Sequence, residues 1–314
     1  MRQISVCPIC HRYSFQTLYE STDRMFHIPG KFSVLKCNNC SIAFLNPRPS
    51  FRELQKYYPT KRYYAYNENK KGFFSFIREY LIKHYYAPTI VSKIISVFIS
   101  NVPAMPTWKN SGKILDVGCG TGETLQLLKR LGWDVYGIDI DRRAIKIARQ
   151  KGLSRVEYGA YQHLSTYPDH FFDAIRLYHV IEHLDNPQEC LRIIAQKLKI
   201  DGEIIIGTPN VESIVARIFK HYWYNLDSPR HLILFSANTL RKILKKEGYL
   251  PNEVRFCSAG GMAGSMQYVL FQITGRTINL INNTLFVLLI YPFEWIFDRL
   301  KQGDILIVRA KLYT

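Results

Sequence analysis

The segment KILDVGCGTGE, running from Lys113 to Glu123, joins a short apolar run to the start of a helical pattern. The apolar run predicts a buried strand that ends at Asp116, and Gly118, Gly120 and Gly122 crowd the turn after it. Because glycine has no Cβ, such a turn lets the backbone approach a bound cofactor closely. A glycine turn alone is weak evidence, since any tight connection from strand to helix can use one.

A carboxylate in the next predicted strand strengthens the cofactor interpretation. In VYGIDI, Asp139 stands at the end of that strand, about 20 residues beyond the glycines, where an acid can bind the two hydroxyls of a ribose. The other interpretation is that Asp139 caps the N-terminus of the helix that follows. The spacing favours a nucleotide-like cofactor that lies across the ends of the two strands.

Outward from this segment, the sequence alternates between short apolar runs and helical patterns. Strands are predicted at 113–117, 135–138, 156–158, 174–178, 203–206, 254–257 and 304–310, and helices at 123–131, 142–150, 187–198 and 237–247. The alternation predicts an α/β fold whose mostly parallel seven-stranded sheet is covered on both faces. Five units are predicted. Residues 1–49 form a cysteine-rich module and 50–109 a helical, aromatic and basic connector or lid. The core covers 110–257, a hydrophobic helical insertion 258–303 and the last core strand 304–314.

The glycine turn, in the form DVGCGTG, closely resembles motif I of class I methyltransferases. Three further stretches look like methyltransferases of bacterial surface-glycan and sugar-modifying pathways, and more loosely like ubiquinone-type O-methyltransferases: FFDAIRLYHVIEHLDNP, DGEIIIGTPN and SPRHLILFSANTLRKILKKEGY. The likeness covers about residues 110–257. It implies a Rossmann-like methyltransferase fold that binds S-adenosylmethionine, with cofactor contacts from Asp116, Gly118, Cys119, Gly120, Asp139 and Ile140.

The segment HVIEH, from His179 to His183, follows the fourth predicted strand, whose end faces the cofactor in this topology. Methyl transfer from a sulfonium needs mainly alignment, so the variable step is removal of a proton from the acceptor. A histidine suits that step, and the candidate catalytic residues are His179, His183 and His231, with Glu182 as an orienting or secondary base.

Two other roles for the HVIEH segment stay open. Glu182 and His183 could cap the following helix and support the cofactor loop. By likeness to metal-dependent ubiquinone-type enzymes, His179, Glu182 and His183 could instead hold a divalent metal.

Two close cysteine pairs near the N-terminus predict a metal site. Cys7-Pro-Ile-Cys10 and Cys37-Asn-Asn-Cys40 each offer two thiolates, and together they supply the four sulfur ligands of a tetrahedral zinc. Redox chemistry and an iron–sulfur cluster are the competing interpretations. Because four cysteines leave no open position on the metal, the predicted zinc is structural. By the resemblance, this zinc-ribbon-like module would help to cover the substrate cleft.

The charge of the chain predicts an anionic partner. Its 314 residues carry a formal net charge of +17, with an isoelectric point near 9.5, so nucleic acid, anionic lipid or an acidic substrate would be attracted. Paired cysteines in a chain of this size, and a start without a long apolar run, predict a reducing, cytoplasmic location. We find no run of the roughly 20 apolar residues that a transmembrane helix needs.

Two hydrophobic flanks, 73–100 and 280–297, mix large aromatic residues with basic ones. An amphipathic helix of that composition can lie in a bilayer interface, where anionic lipid attracts a basic chain. The alternative is that the two flanks pack on each other as a lid or a dimer interface. A peripheral position at the inner face of the membrane would suit an acceptor attached to a lipid carrier.

These observations lead to three hypotheses of function. The first is a methyltransferase that acts on oxygen or carbon of a sugar or glycan intermediate, either a small molecule or one linked to a lipid. The second is an RNA methyltransferase that uses the tyrosine- and lysine-rich stretch 57–71. It is less favoured, because the fourth predicted strand is not followed by the N/D-P-P-Y/F segment with which base-amino methyltransferases grip a flipped base; Thr208-Pro209-Asn210 follows the fifth strand instead. The third, a non-catalytic membrane-associated scaffold, conflicts with the intact glycine turn. The oligomeric state is not predicted.

Overall fold

The computed structural model describes residues 1–59, 73–99 and 104–313. Within these ranges the strands are β1 (Phe15–Ser21), β2 (Phe32–Cys37), β3 (Ala43–Asn46), β4 (Lys113–Val117), β5 (Asp134–Asp139), β6 (Val156–Tyr158), β7 (Phe172–Tyr178), β8 (Leu198–Pro209), β9 (Ile233–Leu234), β10 (Tyr249–Cys257) and β11 (Ile305–Leu312). The helices are α1 (Phe51–Leu54), α2 (Phe73–Lys83), α3 (Ile90–Phe98), α4 (Glu123–Arg130), α5 (Arg142–Gln150), α6 (Pro187–Lys197), α7 (Ile214–Phe219), α8 (Ala237–Lys246), α9 (Gly261–Thr274) and α10 (Thr284–Arg299). Most of the stretch 57–71, including its predicted RNA contact, lies outside the described residues.

The larger sheet has the order β10-β11-β8-β7-β4-β5-β6. Strands β8, β7, β4, β5 and β6 run parallel, and β11 pairs antiparallel with β8 and β10. The predicted Rossmann-like fold with a mostly parallel seven-stranded sheet is therefore confirmed. Strands β8 and β10 begin earlier than their apolar runs predict, at Leu198 and Tyr249, because polar residues such as Lys199 and Asn252 interrupt the pattern.

Successive residues of the central strand β4 point to opposite faces of the sheet, and each face packs against its own helices. Ile114 shares one core with residues of α2, α4 and α5, whereas Leu115 shares the other with residues of α6 and α8. Because both faces are covered, β7 is buried along FDAIRL. The carboxyl edge of the parallel strands is where the glycine turn and the HVIEH segment meet.

The N-terminal sheet has the order β1-β2-β3-β9, so its last strand comes from the core. Strand β3 pairs antiparallel with β9, Ala43 opposite Leu234 and Phe44 opposite Ile233. Strand β9 was not predicted, because its two residues are too few to show the hydrophobic pattern of a strand. One continuous hydrophobic core joins the two sheets, and β9 follows closely after His231.

A buried ion cluster around Arg230 joins three distant parts of the chain. The fully buried guanidinium donates to the carboxylate of Asp227 at 2.6 and 2.9 Å and to Asp23 at 2.9 Å. It also donates to the backbone oxygen of Tyr57 at 2.9 Å. Asp23 belongs to the N-terminal module, Tyr57 to the connector and Asp227 to the core. The cluster therefore holds these three segments in one arrangement.

We expect Arg230→Met to lower the free energy of unfolding by about 3–5 kcal/mol, because it would leave Asp23 and Asp227 buried without their cation. Urea denaturation followed by circular dichroism measures the loss. The matched control is Arg192→Met, since Arg192 is 62% exposed and pairs with Glu247, a geometry worth less than about 1 kcal/mol. A loss for Arg230→Met no larger than that of the control would show that the cluster does not hold the segments together.

Candidate active site and cysteine cluster

The glycine turn after β4 combines left-handed backbone with one open position. Gly118, Gly120 and Gly122 have φ values of 72°, 53° and 79°, in the region that favours glycine. A Cβ on Gly118 would lie 2.4 Å from Cγ2 of Val180, so this glycine allows the HVIEH segment to lie directly against the turn. A Cβ on Gly120 would meet no atom of the described residues within 4 Å, so the backbone there is open to a ligand.

Asp139, at the end of β5, faces the same turn. Its carboxylate accepts hydrogen bonds from the backbone N–H groups of Gly120 and Asp141, each at 2.8 Å. Burial raises the pKa of Asp139. The N-cap of α5 is Asp141, whose side chain accepts from the N–H groups of Arg143 and Ala144. The alternative interpretation of Asp139 as the helix cap is therefore wrong, and its carboxylate belongs to the glycine turn.

Asp116 lies beneath the turn in a buried ion pair. Its two carboxylate oxygens accept from Nη1 of Arg176 at 2.8 and 3.0 Å. Burial raises the pKa of Asp116, and the guanidinium opposes that rise. The pair joins β4 to β7, so Asp116 anchors the start of the turn. Arg176 was not among the predicted site residues, although a lone arginine within FDAIRLY already indicates a buried acidic partner.

The other two predicted cofactor residues differ in exposure. The side chain of Cys119 is buried in the core, and its Sγ would lie 2.8 Å from a Cβ on Gly137. Cys119 can therefore offer a ligand only its backbone. Ile140 follows Asp139 and is 54% exposed. An exposed apolar side chain beside the Asp139 carboxylate fits the flat face of a nucleobase.

His179 stands at the point where β7 ends. Its backbone N–H donates to the oxygen of Gly207 at 2.8 Å, and its φ of 55° lies in the left-handed region that residues other than glycine adopt uncommonly. Nδ1 lies 3.2 Å from the carboxylate of buried Glu182, while 35% of the His179 side chain stays exposed. Glu182 thus orients the ring and leaves Nε2 as the nitrogen available to an acceptor.

Glu182 is fully buried among three imidazoles. Its Oε2 accepts from the hydroxyl of Thr208 at 3.0 Å, and its Oε1 lies 3.9 Å from Nε2 of His231. Burial alone would raise the pKa of Glu182, but the hydrogen bond with His179 and the nearby imidazoles lower it to about 2. A carboxylate with so low a pKa is too weak a base to deprotonate a hydroxyl group. Its geometry suits orientation of the histidines.

His183 and His231 form the second part of the cluster, with ring centroids 4.7 Å apart. Nδ1 of each ring lies against a backbone oxygen, that of Arg230 at 2.9 Å for His183 and that of Asn225 at 2.8 Å for His231. These contacts make Nε2 of each ring the nitrogen that can accept a proton or bind a metal, and that of His231 lies 3.9 Å from carboxylate oxygens of both Glu182 and Asp227. Burial, and then His231, lower the pKa of His183 to about 4, so this ring is neutral at pH 7.

The residues that could share a metal in the structure differ from those that the resemblance implied. Glu182, His183 and His231 place one ligand atom each within 4.8 Å of one another. The set implied by resemblance contained His179 in place of His231. Two further partners were not predicted, Thr208 for Glu182 and the backbone oxygen of Arg230 for His183. Both contacts form only when β7, β8 and the SPRHLILF segment meet.

The four N-terminal cysteines also come together. Their Sγ atoms all lie within 4.8 Å of one another, and Cys7 with Cys40 and Cys10 with Cys37 are each 3.5 Å apart. The two turns are equivalent, because the residue after each pair has positive φ and donates its N–H to the oxygen of that pair's first cysteine. Such paired turns around four thiols fit a tetrahedral metal site.

The glycine turn, the strand-end carboxylate and the oriented imidazole lie at the carboxyl edge of a Rossmann-like sheet, the arrangement of an S-adenosylmethionine-dependent methyltransferase. A family model described as "Methyltransferase domain" matches residues 90–251, and the chain belongs to that family. The predicted enzyme class is therefore confirmed.

Curated relatives and solved structures lie at moderate to low identity. A ubiquinone biosynthesis O-methyltransferase of Azoarcus sp. (strain BH72) is 29% identical over 178 residues, which are 53% of this chain and 68% of that protein. Another, of Bordetella avium (strain 197N), is 34% identical over 103 residues, 31% of this chain but only 43% of that protein. A solved S-adenosylmethionine-dependent methyltransferase of Archaeoglobus fulgidus is 22% identical, with a TM-score of 0.47, over 74% of this chain and 94% of that one.

Proposed function

We propose that this methyltransferase methylates a hydroxyl oxygen of a sugar or glycan intermediate, with His179 as the general base. The observation that carries the proposal is the position of His179, which is oriented by buried Glu182 and joined through Val180 to the glycine turn. The named relatives are O-methyltransferases, which favours oxygen over carbon. The choice of a sugar as acceptor rests on the resemblance of the core segments to sugar-modifying methyltransferases.

The residues of the turn fit S-adenosylmethionine. The carboxylate of Asp139 would accept hydrogen bonds from the ribose hydroxyls, the open backbone at Gly120 would lie along the ligand, and Ile140 would cover the adenine. When bound, this cofactor supplies a methyl group on a positively charged sulfur, which needs no further activation. The protein therefore has to align the acceptor oxygen and remove its proton.

The histidine cluster divides these tasks. Nε2 of His179 takes the acceptor proton, and Glu182 stabilises the imidazolium that results, because its carboxylate stays ionised at neutral pH. His183 and His231, held by backbone oxygens, form the wall behind Glu182. His179 is the only one of the three rings bonded to Glu182 through Nδ1 within the described residues.

Methyl transfer from radiolabelled S-adenosylmethionine tests the proposal. The acceptors to compare are nucleotide-linked sugars, lipid-linked sugars, a polyprenyl catechol and total RNA, each with product identification by mass spectrometry. Methylation of a sugar hydroxyl supports the proposal. Transfer only to the catechol, to RNA or to carbon would overturn it, and failure to bind S-adenosylmethionine in isothermal titration would favour the scaffold.

We propose in addition that the four N-terminal cysteines hold one structural zinc. Their thiolates would bind the ion from two equivalent turns, and the continuous core behind the module would couple that site to the fold. We expect about one zinc per chain by elemental analysis. Strong chelators should remove it, and the melting temperature should fall by several degrees.

Cys37→Ser should abolish zinc binding, whereas Cys257→Ser, which changes another buried cysteine, should leave one zinc in place. Full zinc content in the Cys37 variant would contradict the assignment. A second equivalent of metal that is lost in His231→Ala would instead place a metal at the Glu182, His183 and His231 group.

A further inference from the structure

Helix α3 exposes its apolar residues and buries a polar one. Ser92 is buried, whereas the opposite side of the helix carries five large apolar side chains, each 48–79% exposed: Ile90, Val91, Ile94, Val97 and Phe98. In a water-facing helix the apolar stripe lies against the core and the polar side faces outward. The polarity of α3 is therefore inverted, and its outer face is suited to contact an apolar partner.

Helix α10 shows the same inversion. Glu294 is 4% exposed, whereas apolar residues along one helical stripe are 44–80% exposed: Leu285, Leu288, Leu289, Phe293, Ile296 and Leu300. The stripe continues over the length of the helix, so it is not a single misplaced residue. Contiguous apolar surface of this extent marks an interaction site in a monomeric protein.

The two inverted helices meet at their ends. The indole N–H of Trp295 donates to the backbone oxygen of Val97 at 3.0 Å, and the rings of Trp295 and Phe98 stack with centroids 6.5 Å apart. The hydroxyl of Tyr291 also donates to the backbone oxygen of Phe98. The ends of the two flanks therefore contact each other, as the alternative interpretation requires, but these contacts leave the apolar stripes uncovered. We call these stripes the α3–α10 face.

The charges around the α3–α10 face are almost all positive. The sequence has no Asp or Glu between residues 80 and 99 or between 254 and 293. A cavity of about 610 Å³ between α3, β10 and the end of α10 is lined by Lys93, Arg255, Arg299 and Lys301, and Asp298 is the one acid among its described lining residues. Arg255 also pairs with Glu253 at 3.1 Å. A surface that is apolar at its centre and cationic at its edge complements a layer of anionic headgroups over acyl chains.

A second copy of the chain fits this face less well. A two-fold interface brings the same patch of both subunits together, so the cations of one subunit, among them Lys93, Arg299 and Lys301, would meet a patch of the same positive charge. The net charge of +17 adds further repulsion between two chains. In the part of the chain that the structure describes, no helix is long and apolar enough to cross a membrane.

We propose that the α3–α10 face docks on an anionic phospholipid membrane, with both helices lying in the interface and the surrounding cations bound to headgroups. This docking would bring the catalytic edge of the sheet near acceptors that are carried by lipid. The inference is independent of the proposed acceptor, because it rests only on the two helices and their charges.

Vesicle flotation with the full chain tests the docking. The vesicles contain phosphatidylcholine with, by design, about 30% anionic phosphatidylglycerol. The protein should bind to them and float, and salt should weaken the binding. Pure phosphatidylcholine should carry much less. The double variant Ile94→Asp/Leu289→Asp should bind at least about tenfold more weakly, because each carboxylate would enter the apolar layer. Lys93→Glu/Lys301→Glu should reduce the binding and its salt dependence.

Two matched controls separate docking from folding. Ile200→Asp changes an equally exposed apolar residue elsewhere, and Lys146→Glu reverses an exposed charge on α5, so both should float like the wild type. All variants should keep the wild-type melting temperature and affinity for S-adenosylmethionine. Absence of flotation with anionic vesicles, or equal flotation of the Asp double variant, would overturn the proposal. A dimer in light scattering that this variant dissociates would assign the face to a second copy instead.

Discussion

Replacing His179 by alanine should lower kcat by about 10²- to 10⁴-fold, the contribution typical of a general base, while the Kd for S-adenosylmethionine stays unchanged. The reason is geometric. Glu182 holds Nδ1 of this ring at 3.2 Å, so Nε2 is the nitrogen presented beside the glycine turn. Single-turnover kinetics with saturating cofactor and acceptor would separate this loss from any change in binding.

His170→Ala is the matched control for the His179 variant. Both histidines have positive φ, and they flank β7 at its two ends, His170 at the amino end and His179 at the carboxyl end. If relief of the backbone strain at a positive φ were enough to change kcat, both variants would show the change. Glu182→Gln should also lower kcat, because the amide cannot stabilise the imidazolium as a carboxylate does. Unchanged kcat in His179→Ala would remove this residue from the proposed mechanism and leave His183 and His231 as candidates.

Replacing Asp139 by alanine should weaken S-adenosylmethionine binding by about 10²- to 10³-fold. Hydrogen bonds to a charged group contribute about 1.5–3 kcal/mol each, and the variant removes the carboxylate that would accept from the ribose. It also leaves the N–H groups of Gly120 and Asp141 without their present acceptor, so the turn would lose order. Isothermal titration calorimetry with S-adenosylmethionine measures the effect.

Asp141→Ala provides a close control for the Asp139 variant. It removes the N-cap of α5 two positions further along, which should cost about 1 kcal/mol of stability with little change in cofactor affinity. Equal losses of affinity in the two variants would show that helix capping, and not recognition of the ribose, explains the effect. Wild-type affinity in Asp139→Ala would contradict the cofactor site itself.

The sequence alone determined the core architecture. The central strands are largely apolar runs, because a parallel strand covered on both faces favours apolar side chains and holds charged ones such as Asp116 and Arg176 as a buried pair. The glycines of the turn could also be located from the sequence, because a turn with three left-handed residues tolerates few residues other than glycine. The strand-end acid was found from its spacing to them. Local rules therefore sufficed for the seven strands, the fold class and the position of the cofactor turn.

Only the tertiary structure decided which distant side chains share an environment. His231 lies near Glu182, and Arg230 binds Asp23 more than 200 residues away, because separate segments converge at one sheet edge. Strand β9 exists only because β3 offers it a partner. The direction of the apolar faces on α3 and α10 was likewise undecided by composition, since periodicity shows that a helix has two faces but does not say which one the core will bury.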